Sequence, residues 1–353
     1  MRTFGLGIGI VTFMLTLLFG TASAAYAEQD GAVPEPEVRC VIDDPRLEEL
    51  SGLAADSTHL YAVNDGGTRL EVAVLGDDCR VRDLITAPTD PYDVEDLALG
   101  PDGTFWLGDT GDNRGQRETV ALHALSRDGT SVLYRLTYPD GPRDAEALVV
   151  DREGTPYIIT KDVLGSSRVY RPAQPLTSPG PTPLEKVATI SLLPTRTPGG
   201  PVGMAGSVLI TGAALSSDGS VVAVRTYTDA YLYPVTEGDI VAAFSREPVR
   251  VPLPHERQGE AIAFTPDGTL LSASEGRGEP LRAVPDAVGL VGDASAGVEE
   301  RGTGTTPETA EDGPTESTEH GSGLGVVPSF LIAIALAAVL LAGFGRRRRC
   351  PLR

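Results

Sequence analysis

Residues 93–113 read DVEDLALGPDGTFWLGDTGDN. A polar head leads into the apolar run Leu97–Leu99. The turn Pro101-Asp102-Gly103 follows, and a second apolar run from Phe105 ends in polar residues. Proline presets φ early in such a turn and glycine supplies φ > 0. The stretch therefore predicts a β-hairpin. The same pattern recurs in ELSGLAADSTHLYAVND from Glu49, DAEALVVDREGTPYIITKD from Asp144, LITGAALSSDGSVVAVRTY from Leu209 and GEAIAFTPDGTLLSASEG from Gly259. The starts lie about 45 to 65 residues apart, which fits one four-stranded blade per repeat. Runs such as Leu148–Val150 and Ala261–Phe264 are apolar on both faces, as inner strands sandwiched between blades require. Val38–Ile42, ahead of the first repeat, is placed to pair with the last blade and close the ring, which removes exposed sheet edges. The fold class read from the sequence is all-β, a five- or six-bladed β-propeller ectodomain. A β-sandwich is the main competitor, but it does not explain the repeat.

Outward from the repeats, the ends of the chain predict export and anchoring. Residues 1–27 read as a signal peptide: Arg2, an apolar stretch from Phe4 to Phe19, and the small-x-small site Ala25-Tyr26-Ala27. The ectodomain is expected over 28–287. Residues 288–323, rich in Gly, Thr, Ser and Glu, predict a disordered acidic stalk, because they cannot bury enough apolar surface to offset ordering entropy. Residues 324–344 carry no charge and are long enough to span a bilayer as one transmembrane helix. The basic tail 345–353, with Arg346–Arg349, places that end in the cytoplasm. The expected localisation is the cell membrane, single-pass type I, with the N-terminal domain extracellular. Outside the cell the ectodomain pair Cys40 and Cys79 is expected to form a disulfide. The formal net charge of −20 argues against nucleic acid as a partner.

The strings SGLAAD, LYAVND, DVEDLALGPDGTFWLGDTGDNR, YPDGPRDAEALVVD and VRTYT resemble a family of exported actinobacterial β-propellers. More remotely they are similar to the esterase-like-phytase and gluconolactonase (regucalcin-like) propellers. The resemblance covers residues 49–275 and implies the propeller fold. It implies less about activity, because propellers host unrelated functions.

Aligning the repeats stacks polar residues in two columns. The first, at the head of the first strand, reads Ser51, Glu95, Glu146, Thr211 and Glu260. The second, at the end of the next strand, reads Asn64, Asp109, Lys161, Arg225 and Ser274, with Asp65, Thr110, Asp162, Thr226 and Glu275 beside it. In a ring of blades, both columns are expected at one mouth of the axial channel. The candidate metal ligands are therefore Glu95, Glu146, Glu260, Asn64, Asp65, Asp109 and Glu275. Oxygen-rich sets of this kind suit Ca²⁺ or Mg²⁺, and the regucalcin-like resemblance implies an axial metal held by Glu, Asn and Asp. Lys161 and Arg225 are the nearby positive charges. With Asp112, Asn113 and Arg114 of the GDTGDNR segment, they are the candidate ligand-binding residues. The same acids also fit a structural network neutralised by Lys161 or Arg225.

Two functions stay open. One is a cell-surface binding or scaffolding protein whose mouth recognises an extracellular protein or a small-molecule ligand. The other is a metal-dependent extracellular hydrolase acting on a phosphoester, ester or lactone. No G-x-S-x-G elbow, H-E-x-x-H or G-x-x-x-x-G-K motif occurs, so hydrolysis would have to take a metal route.

Overall fold

The computed structural model describes residues 33–292. The expected signal peptide, most of the stalk, the transmembrane helix and the basic tail lie outside the described residues. Among the described residues, no helix is long and apolar enough to cross a membrane.

The first strand among the described residues is β1 (Glu37–Ile42). The chain then runs through repeated antiparallel meanders. Unit one is β2 (Leu50–Ala55), β3 (Leu60–Asn64), β4 (Leu70–Leu75) and β5 (Val81–Ala87). Unit two is β6 (Val94–Leu99), β7 (Phe105–Asp109), β8 (Val120–Leu125) and β9 (Ser131–Thr137). Unit three is β10 (Ala145–Val150), β11 (Pro156–Thr160), β12 (Ser166–Pro172) and β13 (Thr182–Ser191). Unit four is β14 (Ile210–Leu215), β15 (Val221–Thr226), β16 (Asp229–Pro234) and β17 (Val249–Pro252). Unit five has β18 (Gly259–Phe264), β19 (Leu270–Ser274) and β20 (Glu279–Val284). Its fourth strand is β1, which pairs with β20 from Glu37↔Ala283 to Ile42↔Glu279. Units two and three also touch along their outer strands, through the short parallel pairing of Leu136 with Thr182 and Thr137 with Pro183.

The first strands β2, β6, β10, β14 and β18 are neighbours in cyclic order, with β18 back against β2. The result is an all-β ring of sheets of the propeller kind. Each sheet is apolar on both faces because strand side chains alternate. In β15, Val222 and Val224 pack towards unit three, while Val221 and Ala223 pack towards unit five. One buried apolar cluster fills each of the five junctions between neighbouring units. The junction of units five and one is also bonded covalently. Cys40 of β1 and Cys79, in the turn after β4, form a disulfide with a Cα–Cα distance of 5.9 Å.

Residues 287–292 are helical, and Val288, Leu290 and Val291 pack into the cluster of units four and five. The packed domain thus extends past the boundary at 287 that composition predicts. These three residues are large and apolar and have a core to join. Val288 N–H donates to the carbonyl of Gly268 in the β18–β19 turn, and Val33 packs on the same cluster. Both ends of the described chain therefore lie at the turn end of the innermost strands.

Candidate functional site

All five innermost strands break register at the same place. The pairings run from Leu50↔Asn64 to Gly52↔Val63, Val94↔Asp109 to Asp96↔Gly108, Ala145↔Thr160 to Ala147↔Ile159, Ile210↔Thr226 to Gly212↔Arg225, and Gly259↔Ser274 to Ala261↔Ala273. Each shift is a β-bulge, which re-aims the extra side chain. The bulged residues are Ser51, Glu95, Glu146, Thr211 and Glu260, the first column of the sequence alignment. Where the bulged residue is a hydroxyl it bridges to the next unit: Ser51 Oγ donates to Val94 O and Thr211 Oγ1 to Gly259 O. In units two, three and five the same position carries a carboxyl, which in ionised form only accepts.

Two of those carboxyls, of Glu95 and Glu146, gather with Asp144. Carboxylate oxygens of Glu95, Asp144 and Glu146 lie within 4.8 Å of one another. Glu95 and Glu146 are buried. Among the described residues, the Glu95 carboxylate accepts no hydrogen bond and makes no ion pair. Asp144 Oδ1 accepts the N–H of Asp112 at 2.8 Å. Backbone presses directly on the cluster: a Cβ at Gly111 would stand 2.0 Å from Glu95 Oε1 and 2.5 Å from Asp93 Oδ2. Only glycine permits this approach.

Burial and mutual repulsion govern the protonation of the cluster. Burial, then the charges of Glu146 and Asp93, push Glu95 well above the usual carboxylate range. Burial also pushes Glu146 well up, against the opposing charge of Lys161. Glu260 is pushed up to about 7, by burial first and by Glu275 second. The cation of the cluster is Lys161. Its Nζ bonds the Glu146 carboxylate and lies 2.7 Å from the Tyr227 hydroxyl. Burial disfavours its charge, but Glu146, Tyr227, Glu260 and Asp144 raise its pKa well above the ordinary lysine value, so it stays protonated. Lys161 pairs with only one of the three carboxylates, and a hard cation suits an all-oxygen set. The donor chemistry is such that Glu95, Asp144 and Glu146 could hold a metal ion.

The remaining predicted residues are placed differently. Asp109 takes the N–H groups of Tyr92 and Asp93, with Arg117 on one oxygen and His123 on the other. Asn64 Oδ1 caps the N–H of Glu49, as Ser274 Oγ caps Gln258. Asp65 donates its N–H to the carbonyl of Glu49 and Glu275 to that of Gln258, while the Glu275 charge acts on Glu260. Asp112 accepts the N–H groups of Gln116 and Arg117, a turn-closing role, and Asn113 and Arg114 are exposed beside it.

The strand register corrects the second column. Its true members are Asn64, Asp109, Thr160, Thr226 and Ser274. Lys161 stands one residue later, in line with Asp65, Thr110, Tyr227 and Glu275. Arg225 stands one residue earlier and does not reach the mouth. It is fully buried between units four and five, bonded to Glu256 and to the carbonyls of Thr226 and Ala261.

Sequence reasoning misses Asp144, Tyr227 and Asp96. Asp144 heads its repeat one residue before β10, so it reads as the polar lead-in to the strand. Tyr227 is hidden by the same one-residue slip. Asp96 follows the bulge in unit two, where the other units carry Gly52, Ala147, Gly212 and Ala261. It accepts the N–H groups of Leu97, Leu148 and Ala213, and so spans the axis from unit two to units three and four. A lone carboxylate among small residues is the available signal. At the turn end, beyond Asp96, a separate cavity of about 320 Å³ is lined by Leu53, Leu97, Leu148, Ala213 and Phe264. A larger one, about 410 Å³, lies between units one and two and touches none of the clustered acids.

No protein-family model matches the chain, and no curated protein matches it. Solved structures with remote similarity are β-propeller enzymes. Virginiamycin B lyase from Staphylococcus aureus is 13% identical over 67% of each chain, with a TM-score of 0.36. The PQQ-bound aldose sugar dehydrogenase from Streptomyces coelicolor is 12% identical over 71% of this chain and 98% of that one, with a TM-score of 0.39. A streptogramin B lyase is 11% identical over 69% and 96%, with a TM-score of 0.37. Likeness at this level carries no argument about the site, and no family assignment follows from it.

Proposed function

We propose that the chain is a five-bladed, surface-presented binding protein whose acidic mouth takes a divalent cation. The observation that carries this reading is Glu95. Its carboxylate is buried (the residue is 7% exposed), aimed at Asp144 and Glu146, and without a hydrogen bond or ion pair among the described residues. A buried, unpaired carboxylate is costly unless it is protonated or neutralised by an ion.

Two further features support presentation of this face to a partner. Tyr92, Val163, Leu164, Leu193, Val202 and Met204 are exposed. The loops that carry them follow β5, β11 and β13, at the same end as the bulges. Exposed apolar side chains on loops at one end of the ring suit an interaction surface. Both ends of the described chain leave from the opposite end, so they do not obstruct the mouth. The disulfide between Cys40 and Cys79 fits an oxidising, extracellular setting.

The test is calorimetric titration of the purified full chain with Ca²⁺ and with Mg²⁺, beside Glu95→Gln. Binding by the wild type that Glu95→Gln weakens at least about tenfold supports the reading. Absence of both heat and thermal shift with either ion ends it.

A metal-dependent hydrolase is the second reading. Its support is Glu260, a carboxyl held near neutrality beside the candidate cation, as a general acid or base requires. Metal-dependent turnover of an ester, lactone or phosphomonoester, lost in Glu260→Gln, would favour it over binding alone.

A further inference from the structure

Glu146 is claimed twice. It is one of three carboxylates whose oxygens converge, and it is also the ion-pair partner of Lys161. Among the described residues, no other lysine or arginine pairs with Glu95, Asp144 or Glu146. Lys161 is held in place by its own backbone, whose N–H donates to the carbonyl of Asp144. At the tip, its ammonium lies 2.7 Å from the Tyr227 hydroxyl and 5.0 Å from the centre of the Tyr227 ring. The side chain is 14% exposed and that of Glu146 is 6% exposed, so neither charge is well solvated.

A divalent ion held by all three carboxylates would share Glu146 with this ammonium. Two cations on one buried carboxylate repel strongly at low dielectric. One has to leave. Glu260 acts electrostatically on the same ammonium and offers it a second carboxylate, away from the Tyr227 hydroxyl.

We propose that Lys161 is a tethered counter-ion that occupies Glu146 until a divalent cation displaces it, and that this exchange sets the cation affinity of the mouth. The inference rests on the cation-binding reading above and adds its regulator. Binding becomes an exchange, one protein-bound positive charge for one free ion of higher charge.

The experiment compares Ca²⁺ affinity of the full chain in the wild type, Lys161→Met and Lys161→Arg. Lys161→Met is expected to tighten Ca²⁺ binding by at least about tenfold, since it removes the competitor. Lys161→Arg keeps the competing charge and is expected to stay close to wild type. Equal affinity in wild type and Lys161→Met overturns the proposal and leaves the cation reading standing. No binding by either protein overturns both. Should Lys161→Met fail to fold, near-ultraviolet tyrosine absorbance of the wild type serves instead. Adding Ca²⁺ is expected to perturb it as the ammonium leaves the Tyr227 hydroxyl, and the perturbation is expected to vanish in Tyr227→Phe. A perturbation that persists unchanged in Tyr227→Phe, or none in a wild type that binds Ca²⁺, overturns it.

Discussion

Arg225 Nη2 lies 2.6 Å from Glu256 Oε2, with side chains 0% and 1% exposed. The pair is sealed between units four and five and completed by Ser272 Oγ, which donates to the other Glu256 oxygen at 2.6 Å. Gly259 sits against it: a Cβ there would stand 1.8 Å from Arg225 Nη2. Removing Arg225 leaves the buried Glu256 with only the longer pair to Arg282, 3.8 Å from its other oxygen. Arg225→Met is therefore expected to cost about 3–5 kcal/mol in urea denaturation. The double variant Arg225→Met/Glu256→Leu is expected to recover part of that loss. A double variant as unstable as the sum of the singles would contradict this account.

Asp109 gives the domain an acid limit. Burial alone would raise its pKa, but the His123 hydrogen bond, the Arg117 charge and the Tyr92 N–H outweigh it and hold the carboxyl down at about 2. A lowered carboxyl contributes stability that is fully present above its ordinary value of 3.8 and is lost as pH falls through about 2. The contribution is about 2 kcal/mol. Asp109→Asn is expected to lower stability at neutral pH and to flatten the slope of stability between about pH 4 and pH 2. Equilibrium denaturation across that window checks it.

Glu260 acts in the opposite sense. Its folded value of about 7 exceeds the ordinary 4.5, so the folded state binds the proton more tightly. Stability is retained below 4.5 and falls as pH rises towards 7, by about 3 kcal/mol in total. Glu260→Gln is expected to remove most of this slope, which a series of thermal melts between those values would show.

Asp96 is expected to matter more for the size of its acceptor set than for its charge. Asp96→Ala strands the N–H groups of Leu97, Leu148 and Ala213 at the axis, at a cost of about 3 kcal/mol or more. Asp96→Asn keeps one acceptor oxygen and is expected to lose less. Equal losses from the two in chemical denaturation would argue against the bridging role.

Reduction of the Cys40–Cys79 bridge frees the clasp between β1 and unit one. A loop of 39 residues corresponds to about 4 kcal/mol in the chain-entropy treatment. Cys79→Ser is expected to lower the denaturation midpoint and to expose residues near Glu37 to protease first.

Much of the fold is legible because period-two alternation and Pro-Asp-Gly turns are local signals. The repeats place Ser51, Glu95, Glu146, Thr211 and Glu260 in one column, and the structure has a bulge at each. Val38–Ile42 is readable as the closing strand because it is short, apolar and otherwise unpartnered. The strand ends are not legible. β15 has six residues where β3 and β11 have five, so aligning the apolar runs moves Arg225 one place from its true equivalent, while Lys161 is misaligned because it follows the last residue of β11, Thr160. One residue in a strand reverses the face of a side chain, and Arg225 accordingly points into a junction. Asp96 escapes notice because its partners are backbone N–H groups as many as 117 residues away, which no local pattern reports.

The pairing of β1 with β20 sets a timing rule for the chain. Glu37 meets Ala283, so the first of the described strands must wait for the last of them before the ring can shut. Contacts of such long sequence separation form slowly, and until then Ile42 and Leu281 lack the apolar neighbours they share in the finished junction. A chain that stops short of β20 keeps an open edge and a wet seam. Such a chain would present the unpaired strand edge and the apolar residues of that junction to solvent.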